Sequence, residues 1–256
     1  MPENFSIAMQ ALETWGATVV QLPTSAKEEC DWLAELDGCR LIVEEKIKFD
    51  DPAQITAREE AFLEGQSYNS SHPLGFNNRI SAIVKKAAGQ LSSTAADLAH
   101  DLRILWFTGL GFDAEVKHRQ LISTLYGSTK VFQANDNKMR TCYFFRNSDF
   151  FRFRDHLDGA VAAYVNGSTA TLNLCLNPYS PRCNGLRDSP FARKFVHGLV
   201  DPIAQENAGD AYIVDGDVDR RDERAVFSYL EEKYKLERAM NMDMNMASVA
   251  MPMSHQ

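Results

Sequence analysis

An Asp-Gly turn at positions 37 and 38 constrains the fold of this chain more than any other feature of its sequence. Asp-Gly between two apolar runs is typical of a β-hairpin with a two-residue loop. Such a loop fixes the register of the two strands, which we predict over 31–36 and 39–49. In that register Trp32 faces Val43, and each pair closer to the turn joins two apolar residues or two opposite charges.

The same register places two carboxylates opposite each other, because Asp31 then faces Glu44 with Cβ atoms roughly 5 Å apart. Like charges at that distance are destabilising unless something neutralises them, and a divalent cation with oxygen ligands would do so. Side chains alternate along a strand, so Lys46 points to the same face as Glu44 and Glu45 to the other. The pattern predicts a hard-metal site beside an ammonium group that can orient water and offset charge on a phosphorane-like transition state.

The rest of the chain alternates between helical and strand periodicities, which predicts an α/β fold. We expect helices over 4–15, 52–63, 77–100, 113–126, 149–164, 189–199 and 219–236, and strands over 17–22, 103–107, 129–133, 140–146, 170–176 and 211–214. These elements divide into a core over 1–110 and a C-terminal α/β extension over 111–236 packed on it. The remaining segment, 237–256, is Met-rich and of low complexity, and we expect it to be disordered.

At this point the chain resembles a known family. Asp31, the hairpin and Glu44-Glu45-Lys46 resemble the D…(D/E)-x-K motif of the PD-(D/E)XK nuclease superfamily. The element order over 4–107 is similar to the restriction-endonuclease-like α-β-β-β-α-β core with its mixed central sheet, although Cys30 stands where the motif has proline. The resemblance implies that Asp31 and Glu44 bind Mg²⁺ or Mn²⁺ and that Lys46 assists the attacking water.

Two further site residues come from this resemblance alone. Some members of the superfamily add a Glu from the first helix as a metal ligand, and Glu13 is the candidate here. Others add a catalytic Gln on the helix after the motif, in a Gln-apolar pair, and Gln90-Leu91 resembles that pair.

The net charge of −8 argues against a strong non-specific grip on nucleic acid, but the charges are unevenly distributed. Residues 77–154 carry twelve Lys or Arg against six Asp or Glu. Arg79 and Lys86 fall on roughly one helix face, and Arg146 and Arg152 border an aromatic segment that could stack on bases. We therefore expect these four residues to contact nucleic acid, DNA rather than RNA, through weak and salt-sensitive binding.

These features predict a metal-dependent nuclease acting in phage defence, restriction or DNA repair. Two alternatives stay open. The first is a catalytically inactive nuclease-fold module that binds nucleic acid or a protein partner. The second is a nucleotide-binding enzyme, because the turn at Gly109-Leu110-Gly111 lies between a strand and a helix, as in dinucleotide-binding folds.

Composition narrows the class of protein further. An apolar fraction of 45% and a charged fraction of 24% are ordinary for a globular chain and exclude a disordered or fibrous one. The five cysteines form no C-x-x-C pair, so we expect reduced thiols in the cytoplasm. No apolar run spans a bilayer and no signal-peptide pattern opens the sequence, so we expect no membrane partner. A homodimer and a partner protein that supplies targeting both remain open.

Overall fold

A seven-stranded mixed sheet lies at the centre of the fold in the computed structural model, which describes residues 6–23, 29–135 and 137–252. The strands are β1 (Thr18–Gln21), β2 (Trp32–Leu36), β3 (Cys39–Lys48), β4 (Tyr68–Pro73), β5 (Leu102–Gly109), β6 (Thr129–Gln133), β7 (Lys138–Tyr143), β8 (Gly159–Asn166), β9 (Thr169–Leu176), β10 (Leu199–Val200), β11 (Ala211–Ile213), β12 (Ala239–Met242) and β13 (Asn245–Ala250). The helices are α1 (Ile7–Thr14), α2 (Pro52–Leu63), α3 (Asn78–Asp97), α4 (Ala114–Tyr126), α5 (Asp149–Arg152), α6 (Cys183–Asp188), α7 (Pro202–Asn207) and α8 (Glu223–Tyr234), with a 3-10 turn at Ala192–Lys194. The central sheet has the order β1-β2-β3-β5-β8-β9-β10.

The predicted hairpin is confirmed together with its register. Trp32 pairs with Val43, and the antiparallel ladder continues to the turn. Asp37 and Gly38 have φ angles of 49° and 79°, the left-handed conformation that favours Gly and Asp in a two-residue hairpin loop. Strand β1 pairs antiparallel with β2, and β5 pairs parallel with β3. The chain therefore runs α1-β1-β2-β3-α3-β5, with α2 and β4 inserted before α3, and the expected α/β class with a mixed central sheet is present.

Helices cover both faces of this sheet. On one face α3 packs over β3 and α4 over β5 and β8, and on the other face α1 shares an apolar cluster with Val43. Because side chains alternate along β3, Glu44 and Lys46 lie on the α3 side of the sheet and Glu45 lies on the α1 side. The helix predicted over 4–15 begins at Ile7 behind an N-cap residue, Ser6, and positions 4 and 5 lie outside the described residues.

The helix predicted over 149–164 is wrong over most of its length. Only Asp149–Arg152 is helical, and Gly159–Asn166 forms β8, which lies between β5 and β9. The run from Ala160 to Ala163 is fully buried, because both faces of the sheet are covered there. A run buried on both faces shows no polar alternation, so periodicity alone does not separate it from a buried helix. The helix predicted over 189–199 is also wrong, since that segment holds only the 3-10 turn and the start of β10.

The predicted domain boundary at residue 110 cuts through one sheet. Strands β8, β9 and β10 belong to the expected extension and yet continue the sheet from β5. The apolar core on the α3 side likewise runs from Ile42 to Leu236. The other strands of the extension, β6, β7 and β11, form a second sheet of order β11-β7-β6-β12, in which β12 comes from the segment after residue 236.

The Met-rich tail, expected to be disordered, forms two strands. Strand β12 pairs with β6 and strand β13 pairs with β4, both antiparallel. Side-chain exposure alternates along both strands. The alternation of Asn and Met in the sequence is therefore the period-two pattern of a β-strand and not a sign of low complexity. Positions 253–256 of the predicted tail lie outside the described residues.

Candidate functional site

The predicted carboxylate pair comes together at the open end of the hairpin. Glu44 lies in β3 beside β5, and it is fully buried. Asp31 immediately precedes β2, and its backbone carbonyl accepts a hydrogen bond from the Leu22 amide at 2.9 Å. Its side-chain Oδ2 accepts from the Glu45 amide at 2.7 Å. The Asp31 carboxylate is therefore fixed against the peptide that joins Glu44 to Glu45.

Lys46 and Gln90 complete the cluster from β3 and from α3. The Lys46 ammonium donates to Glu44 Oε1 and to Gln90 Oε1, the second at 3.0 Å. Gln90 in turn donates from Nε2 to the Glu29 carbonyl at 3.1 Å. Of the predicted catalytic residues, the structure thus brings Asp31, Glu44, Lys46 and Gln90 together. Gln90 is buried, and its bonds to Lys46 and to the Glu29 carbonyl orient its amide group.

The Glu44 carboxyl is held in an unusual electrostatic state. Burial raises its pKa to about 7, the hydrogen bond from Lys46 opposes that rise, and the nearby charge of Asp31 adds to it. Its second oxygen, Oε2, is buried and has no hydrogen-bond partner among the described residues. A buried carboxylate oxygen without a partner is costly, and a cation at that oxygen would remove the cost.

Asp31 and Glu44 fit a magnesium ion better than a metal that requires a closed protein cage. Among the residues in 6–23, 29–135 and 137–252, no group of three or more His, Cys, Asp or Glu side chains is arranged to hold a metal ion. Mg²⁺ commonly uses one or two carboxylates, and water and substrate phosphate oxygens supply the rest of its coordination. The unpartnered Oε2 of Glu44 and the adjacent Asp31 carboxylate match that requirement.

Glu13 is not brought to this cluster. It is exposed on α1, whose buried residues Ala8 and Leu12 belong to the apolar core on the other face of the sheet. The acidic residue that does interact with α1 is Glu45. It accepts hydrogen bonds from the Ser6 hydroxyl and from the Ala8 amide, the latter at 3.0 Å, and so caps the N-terminus of α1. The alternation along β3 had already placed Glu45 on that face.

The predicted nucleic-acid contacts lie at different distances from the cluster. Lys86 is exposed on α3, and its charge lowers the pKa of Glu44, which places it near the carboxylates. Arg79 stands at the start of α3 with 82% of its side chain exposed, and it pairs with Asp51 at 3.5 Å. Arg152 is exposed on α5.

Helix α5 lies beside the first turns of α3. The Ser81 hydroxyl donates to Asp149 Oδ1 at 3.1 Å and so connects the two helices. Arg152 therefore lies on a short helix that packs against the first turns of α3. Arg146 belongs to another part of the surface, where it pairs with Asp243 of the tail at 3.1 Å and lines a separate cavity.

Two other cations of the basic segment are used inside the fold. Arg103 is buried and pairs with Asp158 at 2.8 Å. Lys117 is buried and pairs with Asp50 at 2.5 Å. The positive balance of residues 77–154 therefore overstates the charge that reaches the surface, since sequence counting does not separate buried ion pairs from exposed cations.

The glycine turn at 109–111 already holds an anion that belongs to the protein. The Asp50 carboxylate accepts hydrogen bonds from the Phe112 amide at 2.8 Å and the Asp113 amide at 3.2 Å. A Cβ atom on Gly111 would lie only 2.5 Å from that carboxylate. The amides that would bind a pyrophosphate in a dinucleotide-binding turn are thus occupied by Asp50.

Comparisons with known proteins identify no relative of this chain. No family model matches the chain, and searches of curated proteins and of solved structures find no match. Within the part of the chain that the structure describes, no helix combines the length and apolarity needed to cross a membrane.

Proposed function

We propose that this protein is a metal-dependent nuclease that hydrolyses phosphodiester bonds in nucleic acid, with DNA as the expected substrate. The observation that carries the proposal is the state of Glu44, a fully buried carboxylate with one oxygen bonded to Lys46 and the other without a partner among the described residues. Asp31 lies against the adjoining peptide. The order α1-β1-β2-β3-α3-β5 supports the same proposal through its similarity to the restriction-endonuclease-like core.

Each residue of the cluster has a defined part in this chemistry. Asp31 and Glu44 would hold Mg²⁺ or Mn²⁺, which when bound would supply Lewis acidity toward the phosphodiester and toward water. Lys46 orients the attacking water and offsets the negative charge that builds up on the phosphorus centre. Gln90 positions Lys46, because its amide oxygen accepts from the ammonium and its amide nitrogen is tied to a backbone carbonyl.

Exposed cations on and beside α3 support a phosphate backbone as the substrate, and Lys86 is the one whose charge reaches Glu44. Lys86 and Arg79 lie on α3, and Arg152 lies on the short helix next to it. Because Arg79 is already paired with exposed Asp51, its contribution to binding is moderate and sensitive to salt.

A cleavage assay with variants tests the proposal. Supercoiled DNA, linear DNA and single-stranded RNA are incubated with the protein in Mg²⁺, in Mn²⁺ and in EDTA, beside Glu44→Gln and Lys46→Met. Lys85→Met is the control, since Lys85 is exposed on α3 and outside the cluster. We expect cleavage that needs the metal, falls at least about a hundredfold in both cluster variants and persists in the control. Cleavage that survives both cluster substitutions would exclude this site.

An inactive binding module is the second candidate, and the Lys46–Glu44 ion pair favours it. That pair satisfies part of the buried charge without a metal, and the described residues hold no third acidic ligand. If the protein is such a module, it should bind nucleic acid equally well in EDTA and as the Glu44→Gln variant. It should cleave nothing in Mg²⁺ or in Mn²⁺.

A further inference from the structure

A cavity of about 700 Å³ opens where α4, the β6–β7 hairpin and the turn between β12 and β13 meet. That volume is within the usual range for small-molecule sites. Three cations line it: Arg119 from α4, Lys130 from β6 and Arg146 from the segment after β7. The Met-rich tail, which pairs with β4 and β6, forms one wall of the cavity.

Of these three cations, Lys130 is the one without a carboxylate partner among the described residues. Its Nζ donates to the Thr141 hydroxyl at 2.7 Å, and no carboxylate in the described part of the chain lies within ion-pair distance of it. Burial lowers the pKa of Lys130 from its ordinary value, and the positive charge of Arg119 lowers it further. An ammonium group that is desolvated beside another cation is unfavourable unless an anion joins it.

The two arginines are only partly neutralised. Arg119 pairs with Glu115 at 2.6 Å and Arg146 pairs with Asp243 at 3.1 Å. A guanidinium has five N–H donors, so each arginine keeps donors for a further acceptor. Among the described residues, Arg119 and Arg146 each have a carboxylate partner and Lys130 has none, so the lining cations outnumber their acidic partners by one.

The remaining walls indicate what kind of anion the cavity takes. Phe76, Ile122 and Val200 offer apolar surface, which an inorganic ion would not use. The Ser123 hydroxyl lies in the same lining and can donate to a polar ligand, whereas the Thr129 hydroxyl already donates to Asn241 Oδ1. A ligand with a phosphate at one end and a flat or apolar body at the other matches both halves of the cavity.

We propose that this cavity binds a small organic phosphate of nucleotide size, with its phosphate at Lys130 and Arg119 and its body against Phe76 and Val200. The site is separate from Asp31 and Glu44 and does not depend on the proposed nuclease activity. It also gives Arg146 a role in a ligand cavity rather than on a nucleic-acid surface.

Calorimetric titration of the full-length protein with AMP tests the proposal. Adenosine lacks the phosphate and inorganic phosphate lacks the body, so we expect both to bind more weakly than AMP. Lys130→Met should weaken AMP binding at least about tenfold, since it removes a charged donor from a desolvated site. Lys138→Met is the control, because Lys138 is exposed on the same hairpin and does not line the cavity.

Folding of the variants is checked independently. Lys130→Met removes a desolvated cation that has no carboxylate partner in the described part of the chain, so its melting temperature in the absence of ligand should equal or exceed that of the wild type. Arg119→Gln, at a side chain that is half exposed, is a second variant and should also weaken AMP binding.

Three results would overturn the proposal. The first is absence of AMP binding to the wild type, and the second is equal AMP affinity in Lys130→Met and the wild type. The third is displacement of AMP by a single-stranded oligonucleotide that binds more tightly, which would assign the cavity to a nucleic acid instead.

Discussion

Replacing Glu44 with Gln should change how the stability of the metal-free protein depends on pH. Burial raises the pKa of the Glu44 carboxyl from an ordinary 4.5 to about 7, against the opposing hydrogen bond from Lys46. A carboxyl whose pKa is raised by folding keeps its proton longer in the folded state than in the unfolded chain. The contribution of Glu44 to stability is therefore greatest below pH 4.5 and is lost as the pH rises through 7. At 1.36 kcal/mol per pKa unit, the loss at pH 8 is about 3 kcal/mol.

The Gln variant has no titrating proton at this position and still offers Lys46 an acceptor. We expect the free energy of unfolding of the variant, relative to the wild type, to increase by up to about 3 kcal/mol between pH 5 and pH 8. Urea denaturation in EDTA at each pH measures this difference. Burial raises the pKa of Asp149 to about 6, but this residue titrates in both proteins, so its contribution cancels in the difference between them. A difference that is identical at pH 5 and pH 8 would refute the reasoning.

Magnesium supplies the complementary measurement on the same two proteins. At pH 8, Mg²⁺ at a hundred times its Kd should raise the free energy of unfolding of the wild type by about 2.7 kcal/mol. The Glu44→Gln variant should gain little, because it lacks the carboxylate oxygen that we assign to the metal. An equal gain in both proteins would contradict metal binding by Glu44.

Two further predictions concern parts of the fold outside the cluster. Gly111→Ala should lower the free energy of unfolding by about 2–4 kcal/mol, because the new Cβ displaces the Asp50 carboxylate and the residue has a φ of 94°. Gly16→Ala, at a φ of 90° with open space around it, should lose only about 1 kcal/mol, and similar losses in the two variants would contradict the steric argument. Deletion of 239–252 removes the partners of β4 and β6, so the melting temperature should fall by several degrees; an unchanged value would mean that the tail contributes no stability.

The hairpin could be predicted from the sequence because its determinants are local. The Asp-Gly turn fixed the register, and the register with the strand alternation then placed Asp31, Glu44 and Lys46 on one side of the sheet. The contact between Lys46 and Gln90 has a different origin. It depends on how α3 packs across the sheet, and only the family resemblance gave Gln90 as a candidate.

The wrong predictions share one physical cause. In each of these segments the local sequence preference is weak, and pairing with distant strands determines the structure. Ala160 to Ala163 became a strand because β5 and β9 flank it, although alanine favours helices. The Met-rich tail became two strands because β4 and β6 present unpaired edges to it. Neither partner can be read from the segment itself.

Two buried carboxylates, Glu44 within β3 and Asp50 just after it, differ in the number of hydrogen bonds that they accept. Asp50 accepts hydrogen bonds from two backbone amides and from Lys117. Burial alone would raise the pKa of Asp50, but the bond from Lys117 and those from the amides outweigh it, and the pKa is lowered. Glu44 receives one such bond and its pKa is raised.

An unpartnered oxygen is nevertheless not sufficient evidence for a metal. Asp149 also has a buried oxygen without a partner among the described residues, and burial raises its pKa to about 6. Its bonded neighbour is the Ser81 hydroxyl, and among the described residues no second carboxylate acts on it, so a cation there would meet a single acidic group. At Glu44 the second carboxylate of Asp31 and the ammonium of Lys46 are both present. That combination is what metal-assisted attack on a phosphodiester requires, and it makes Glu44 the residue to substitute first.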